Sequence, residues 1–354
     1  MSQFFYMISY FISGQLQSGS ASIPVVSTHW TLRDRLDAVK VRWSLGRMSY
    51  QIKPGVYAIG KPDPSSRVFV TGNYKLSFDH LRRALDGMDA WILVINTKGI
   101  NVWCAAGKKT FSDKEIVRRI RAHHLTSLVD HRELILPQLG APGVAAHEVK
   151  RLTGFKVIYG PVRALDIKPF IAAGLKATPE MRTVTFSLKE RLELIPVDIF
   201  YARYYLILVP LVFFFLSGLN RSGYSMDITL TNGWKAAVNL AAGYLAGCVL
   251  TPVLLPYIPF RRFAVKGLVL ALPVACLLAA NHMLGSNLLE IFSWFLMIGS
   301  LSSFMAMNFT GSSTFTSLSG VQKEMKIMFP VQLVMAGAGL IGWIISRFIS
   351  LLPL

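Results

Sequence analysis

From Tyr204 onward the chain carries five apolar runs, roughly 204–220, 236–256, 264–282, 288–309 and 329–352. A helix needs about 17–25 mostly apolar residues to cross the hydrocarbon of a bilayer. In lipid, only a helix or a closed barrel satisfies its own backbone polar groups. Residues 201–354 are therefore expected to form an all-α transmembrane domain of about five helices. A tight turn near Gly285-Ser286-Asn287 separates the third run from the fourth. Ionisable residues within the runs are few, and Glu290 and Arg347 fall near predicted ends. The mid-membrane acids and bases of an ion-coupled transporter are thus not signalled.

The rest of the chain has a different composition. Of the 37 Lys+Arg and 19 Asp+Glu, 29 and 16 lie at or before Arg203. The split predicts an N-terminal extension over 1–50, a soluble domain over 51–200 and the membrane domain after it. Positive charge collects in the connections of Arg261, Arg262 and Lys266 and of Lys323 and Lys326. By the positive-inside rule, the soluble domain and these connections face the cytoplasm at the inner membrane, with the C-terminus outside. A formal net charge of +18 invites a nucleic-acid reading. The basic residues are scattered, however, with no block interleaved with aromatics, so no nucleic-acid partner is expected. Proximity to an anionic leaflet accounts for the charge more simply.

Three cysteines bound the redox and metal chemistry. Cys248 and Cys276 lie in apolar runs, where cysteine acts as a small hydrophobe. Cys104 alone lies in the soluble part, and no CxxC or Cys/His cluster suggests zinc, an iron–sulfur centre or a disulfide framework. The N-terminal stretch MSQFFYMISYFISG lacks a basic leader, so it reads as an irregular extension or interfacial segment rather than a signal peptide.

Residues 54–200 alternate two kinds of pattern. RVFVT (67–71), AWILVIN (90–96), LILP (134–137) and KVIY (156–159) read as short buried strands. Leu76–Leu85, Ser112–His123 and Val144–Leu152 read as helices, the second opened by Ser112 with Glu115 three residues on as a capping box. Strand–helix alternation predicts an α/β, Rossmann-like domain with helices on both faces of a parallel sheet. Such sheets bind ligands beyond the carboxyl ends of their strands. The loops after Val70, Asn96, Pro137 and Tyr159 are therefore the candidate site.

The densest of these loops is KGINVWCAAGKKTF, residues 98–111. Small residues at Ala105, Ala106 and Gly107 would let a large flat ligand approach the backbone. The residues alone leave Cys104 open, as a buried core cysteine or a working thiol. Trp103 reads equally as ligand contact or core, and Lys108 as a phosphate or amide partner or a solvated lysine. Asn101 would cap the short helix or hold a ligand amide.

The string NVWCAAGK (101–108) resembles the cap-helix motif of the HgcA family of mercury-methylating corrinoid proteins. The resemblance extends over VTGNYKLSFDHLR (70–82), DAWILVINTKGINVWCAAGK (89–108), ILPQLGAPGVAAHEVK (135–150), VIYGPVRALD (157–166) and GLKATPEMR (174–182). It continues into the membrane part with NFTGSSTFTSLSG (308–320). The soluble domain is also similar to the corrinoid-binding domain of the corrinoid iron–sulfur protein large subunit. The departures are the aliphatic and aromatic N-terminal extension and Gly72, where alanine is expected.

The resemblance implies a cobamide cofactor with Cys104 as the lower axial ligand of its cobalt. It implies a methyltransferase that passes a methyl group from Co(III) to Hg(II) as a carbanion equivalent. Hg(II) is an electrophile with no pair to donate, and a thiolate trans to the methyl group favours departure with the bonding pair. Val102, Trp103, Ala105, Ala106, Gly107, Lys108 and Asn101 would then line the corrinoid, as would Thr71, Gly72 and Asn73 at the first turn. Gly140, Ala141, Gly143 and Val144 would offer amides to the nucleotide tail, and Gly160 and Pro161 the last turn. The base-off signature DxHxxG is absent, since Asp130-His131 lacks its spacing. The implied partners are the ferredoxin-like iron–sulfur protein HgcB, as reductant and Hg(II) donor, and a methyl-folate-dependent methyl donor. Two rivals share the residues: a corrinoid methyl carrier of one-carbon metabolism, and a membrane sensor or transporter whose soluble domain only binds a ligand.

Overall fold

Among the described residues, the N-terminal unit is built on one seven-stranded sheet. The computed structural model describes residues 10–18, 21–310 and 318–349. Residues 1–9 of the apolar N-terminal stretch, 311–317 of the 308–320 motif, and the end of the last apolar run lie outside the described residues. The chain divides into two units, Met1–Thr185 and Phe186–Leu354.

The first unit runs β1 (Ile12–Ser18), β2 (Ala21–Val26), α1 (Leu32–Arg42), β3 (Gly55–Ile59), β4 (Val68–Gly72), α2 (Lys75–Ala84) and β5 (Ala90–Ile95). It continues with α3 (Val102–Gly107), α4 (Asp113–Ala122), α5 (Leu125–Leu128), β6 (Glu133–Leu136), α6 (Ala146–Thr153), β7 (Lys156–Tyr159) and α7 (Ile167–Ala172). β4 pairs in parallel with β5 and with β6, and β6 with β7. This four-strand block is the predicted parallel sheet. β3 adds antiparallel to β5, and β1 and β2 extend that side, so the complete sheet is mixed.

Every residue of β3, β4 and β5 is buried, as expected of strands covered on both faces. The two-residue period sorts their side chains. Val68, Val70, Leu93 and Ile95 meet Ala105 of α3, Ile116 and Ile120 of α4 and Val149 of α6. Phe69, Ile92 and Val94 meet Phe78 and Leu81 of α2 and Phe170 of α7. Each fully buried side chain of this size contributes roughly 1.5–3 kcal/mol.

Residues 12–42, part of the expected N-terminal extension, are two strands and a helix of this unit. A buried ionic cluster fastens them. Lys75 Nζ lies 2.9 Å from Asp34 Oδ1 and 2.6 Å from Asp79 Oδ2. Arg82 reaches Asp34 at 2.8 Å and Asp79 at 2.7 Å, and donates to the carbonyls of Ser27 and His29. Two acids and two bases, all at most 1% exposed, balance one another. Burial works against a charged Asp34, but hydrogen bonds from Lys75 and the Thr31 amide outweigh it and hold the carboxyl well below the ordinary range.

The second unit is helical. Four helices among the described residues are long and apolar enough to cross a membrane: Met226–Tyr257, Phe263–Ala280, Leu288–Thr310 and Ser319–Phe348. A fifth span arises if Leu188–Ala202 and Tyr205–Leu216, bent by 56°, count as one. The helices at Met226 and Ser319 begin well before the apolar runs at 236 and 329. An apolar run marks the lipid-facing length of a helix, while hydrogen bonding continues through polar turns such as Asp227–Lys235. Lys323 and Lys326, expected in a connection, thus lie on a helix. Some polar groups inside this unit are paired: Ser302 Oγ donates to the Gly267 carbonyl at 2.8 Å, Ser300 Oγ to that of Gln332 at 2.8 Å, and Arg347 pairs with Glu290.

Candidate functional site

The carboxyl ends of β4, β5, β6 and β7 share one edge of the sheet. The chain leaves β4 toward β5 on one side, then crosses back from β5 to β6 on the other. The crevice between β4 and β6 is therefore the topological switch point. All four predicted segments lie at this edge: 71–73 at the end of β4, 101–108 after β5, 140–144 after β6 and 160–161 after β7.

Asn73 organises the first two loops. It is 2% exposed. Its Oδ1 accepts from the Thr97 amide at 2.9 Å, the Gly99 amide at 3.0 Å and Thr97 Oγ1 at 3.0 Å. Its Nδ2 donates to Gln51 Oε1 at 3.1 Å. Those bonds hold Lys98 and Gly99 in consecutive left-handed conformations, at φ 58° and 69°. A Cβ on Gly72 would sit 2.8 Å from Thr97 Oγ1, so the absence of a side chain there admits Thr97. Asn73 and Gly72 therefore shape the loop before α3, and the buried Asn73 side chain is committed to protein partners.

Asn101 caps α3, its Oδ1 accepting from the Cys104 amide at 2.9 Å. The helix then has two faces. Val102, Ala105 and Ala106 point into the core, whereas Trp103, Gly107 and Lys108 are exposed and Cys104 is half-buried between them. Of the three small residues Ala105, Ala106 and Gly107, only Gly107 is exposed. Ala105 and Ala106 are buried against the turn 138–143, not open to a ligand. A Cβ on Gly143 would collide with the Phe111 carbonyl and lie 2.9 Å from Ala106 Cα; one on Gly140 would lie 2.6 Å from the Phe111 ring. Close approach is required here, but between two protein segments.

The amides after β6 are also partly spent. Gly140 N–H donates to the Pro137 carbonyl at 2.9 Å and Val144 N–H to that of Ala141 at 3.3 Å. Tyr159 Oη donates to the Val144 carbonyl at 2.9 Å, and Gln138 N–H to that of Pro161 at 3.4 Å, so the last two loops brace each other. Gly160 and Pro161 are buried, as is Thr71 at the end of β4.

Three side chains at this edge escaped the sequence reading. Tyr74, 5% exposed, lies beside Asn73, with the Arg47 guanidinium 5.9 Å from its ring centre. Burial raises its phenol above the ordinary value, Arg47 and Arg42 oppose that, and the Cys104 sulfur is close enough to add to it. Thr97 is the second. Glu115 is the third: Ser112 Oγ accepts its amide at 3.4 Å as predicted, but its carboxylate turns to the Asn96 amide at 3.0 Å and to Arg118 and Arg119. The capping box is thus half-formed, and its acid ties α4 to the β5 loop. No local pattern marks Tyr74 or Thr97, whose partners are distant in sequence.

Residues 39–171 match the family model described as CO dehydrogenase/acetyl-CoA synthase delta subunit. The chain is 32% identical over 127 residues to the acetyl-CoA decarbonylase/synthase complex subunit gamma of Archaeoglobus fulgidus, an overlap of 35% of this chain and 27% of that protein. With the same subunit of Methanopyrus kandleri it is 28% identical over 144 residues, 40% of this chain and 31% of the relative. With the corrinoid/iron-sulfur protein large subunit of Moorella thermoacetica it is 29% identical over 119 residues, 33% of this chain and 26% of the relative. The chain therefore spans about a third or less of these proteins, and the family match ends before the apolar helices.

Proposed function

We propose that this chain is a membrane-bound, corrinoid-dependent methyltransferase that methylates Hg(II), with the Cys104 sulfur as the protein's ligand to the cobalt of a cobamide. The observation that supports this most is the Cys104 thiol itself. It is one soft donor, half-buried on the outward face of α3, beside the switch point of a doubly wound sheet. A closed protein metal site gathers about four ligands. A corrin ring brings its own four nitrogens and asks the protein for one. The donor set therefore fits a corrinoid, and so does the similarity to a corrinoid/iron-sulfur protein.

A bound corrinoid supplies a cobalt-held methyl group that can leave with its bonding pair, the form that electrophilic Hg(II) accepts. The chain's own residues position and enclose. Cys104 would offer its sulfur to the cobalt, and Asn101 fixes the first turn that carries it. Asn73, Thr97 and Gly72 hold the preceding loop, while Ala105, Ala106, Gly140 and Gly143 seat α3 against its neighbour. Trp103, Gly107 and Lys108 would present the exposed contact face to ring and amides, and the loops of Ala141, Val144, Gly160 and Pro161 would border the tail. Restoring the reduced cofactor takes electrons from outside, for which a ferredoxin-like iron–sulfur protein such as HgcB is the proposed source and Hg(II) donor. A methyl-folate-dependent system is the proposed methyl donor. The positive charge of Arg261 and Arg262 supports a cytoplasmic location for the α/β unit in this reading.

A second reading, a methyl carrier of acetyl-CoA chemistry, draws on the names of the matched subunits. Full-length protein carrying methylated cobamide should be offered Hg(II) and, separately, nickel or thiol acceptors. Methylmercury formation that disappears in Cys104→Ala is expected. Transfer only to nickel or thiol would replace the first reading with the second.

A further inference from the structure

The outward face of α1 carries a pattern that the corrinoid site does not use. Leu32, Leu36, Val39 and Trp43 follow one another at i, i+4, i+7 and i+11, a single stripe along the helix. All are exposed, from 42% for Trp43 to 72% for Leu32, and Leu45 and Met48 extend the stripe past the helix end at 50% and 71%. A row of Arg33 and Lys40 runs along one side of it and a row of Arg35 and Arg42 along the other. The two acids of the helix are engaged on the opposite side: Asp34 in the buried ionic cluster, and Asp37 as acceptor from Tyr10 Oη at 2.9 Å. What the helix shows to its surroundings is an apolar strip between two cationic rails.

We infer that α1 is an interfacial helix that lies on an anionic lipid surface. Charge complementarity selects this occupant. Leucine, valine, methionine and tryptophan enter the headgroup–acyl boundary while flanking Lys and Arg meet lipid phosphates. The same chain carries four or five membrane-spanning candidates, so a bilayer is always at hand. α1 is also rigidly presented, since the ionic cluster locks it to α2. The segment leading from it is pinned to the site, because Lys75 N–H donates to the Tyr50 carbonyl at 3.1 Å and Ile52 N–H to that of Asn73 at 3.0 Å. Lipid contact at α1 and the Cys104 edge thus belong to one block of structure.

The test uses the full chain in nanodiscs of phosphatidylcholine with or without phosphatidylglycerol, doped with a lipid bearing a photoactivatable diazirine. Mass spectrometry maps the adducts, and the membrane-spanning helices serve as the internal positive control. Adducts on residues 32–48 are expected in the anionic discs. They should fall at least about fivefold in zwitterionic discs, in Arg35→Glu/Lys40→Glu and in Leu36→Gln/Val39→Gln, with labelling of the spans unchanged. Circular dichroism confirms folding of both variants, which alter outward-facing positions. Absence of adducts on 32–48 while the spans are labelled would overturn the inference. So would labelling indifferent to lipid and side-chain charge, or cross-links from this face to a second protein chain. Neither corrinoid nor mercury enters the experiment, so its outcome is separate from that of the methyl-transfer test.

Discussion

Replacing Asn73 with alanine should loosen the loop that delivers Cys104. The Asn73 carboxamide oxygen is the acceptor for two buried backbone amides, Thr97 at 2.9 Å and Gly99 at 3.0 Å. Thr97 Oγ1 has a second acceptor in the Ile100 carbonyl at 2.7 Å, so the hydroxyl survives the change. The two amides have no such alternative in the loop. Each orphaned buried donor costs about 1–3 kcal/mol, so the local penalty is about 2–6 kcal/mol. At the lower end this corresponds to about a 30-fold rise in the open population. Site-resolved hydrogen exchange on the full-length protein reads it directly, at Thr97 and Gly99. Asn73→Asp keeps the acceptor oxygen but turns a second acceptor toward Gln51 Oε1, so it should spare those two amides and disturb residues 51–52 instead. Exchange at Thr97 and Gly99 that changes less than about threefold in Asn73→Ala would refute this account of how the loop is held.

Asp34→Ala leaves Lys75 and Arg82 sharing Asp79 in a buried site; it should cost about 3–5 kcal/mol, measured as a lowered melting temperature of the first unit. The same cluster sets an acid limit. Asp34 is held below its ordinary value by the fold, so its contribution is complete above the unfolded carboxylate range near about pH 4 and is lost as pH falls below it. Proteolysis within α1 should rise in that window, and Asp34→Asn should flatten the dependence. Gly143→Ala forces a methyl group into the Phe111 carbonyl and the Ala106 backbone; displacement of α3 should cost about 3 kcal/mol or more and abolish cobamide retention on gel filtration. Trp103→Ala removes an exposed ring and should shift stability by less than about 0.5 kcal/mol, yet weaken cobamide binding in an equilibrium titration.

The four parallel strands were legible because each is a short run of valine, leucine and isoleucine bounded by glycine, proline or asparagine. GVYAI (55–59) was not, although it is buried throughout, because a five-residue run beside Pro54 carries no alternation. β1 was obscured by its polar residues, being an edge strand exposed along most of its length. Lys75, Asp79 and Arg82 look like a solvated helix face; only their partner Asp34, 41 residues away from Lys75, makes them a core. The rule for strand ends named four loops that the structure brings to one edge of the sheet, and the roles within that edge were harder to read. Small side chains announce close approach without saying of what: at Gly140 the approaching body is the Phe111 ring, and at Gly143 it is the backbone of Phe111 and Ala106. Glu115 obeys a capping pattern in spacing and departs from it in the direction of its carboxylate. Such distinctions depend on contacts between segments, which no local pattern encodes.

The central claim rests on sulfur bonded to cobalt, and visible absorption spectroscopy addresses it most directly. Full-length protein and its Cys104→Ala variant should be loaded with the same Co(III) cobamide and their spectra compared. A sulfur-to-cobalt charge-transfer band present in the first and missing from the second, with cobamide still bound, is the predicted result. Identical spectra from the two proteins would show that Cys104 does not ligate the metal.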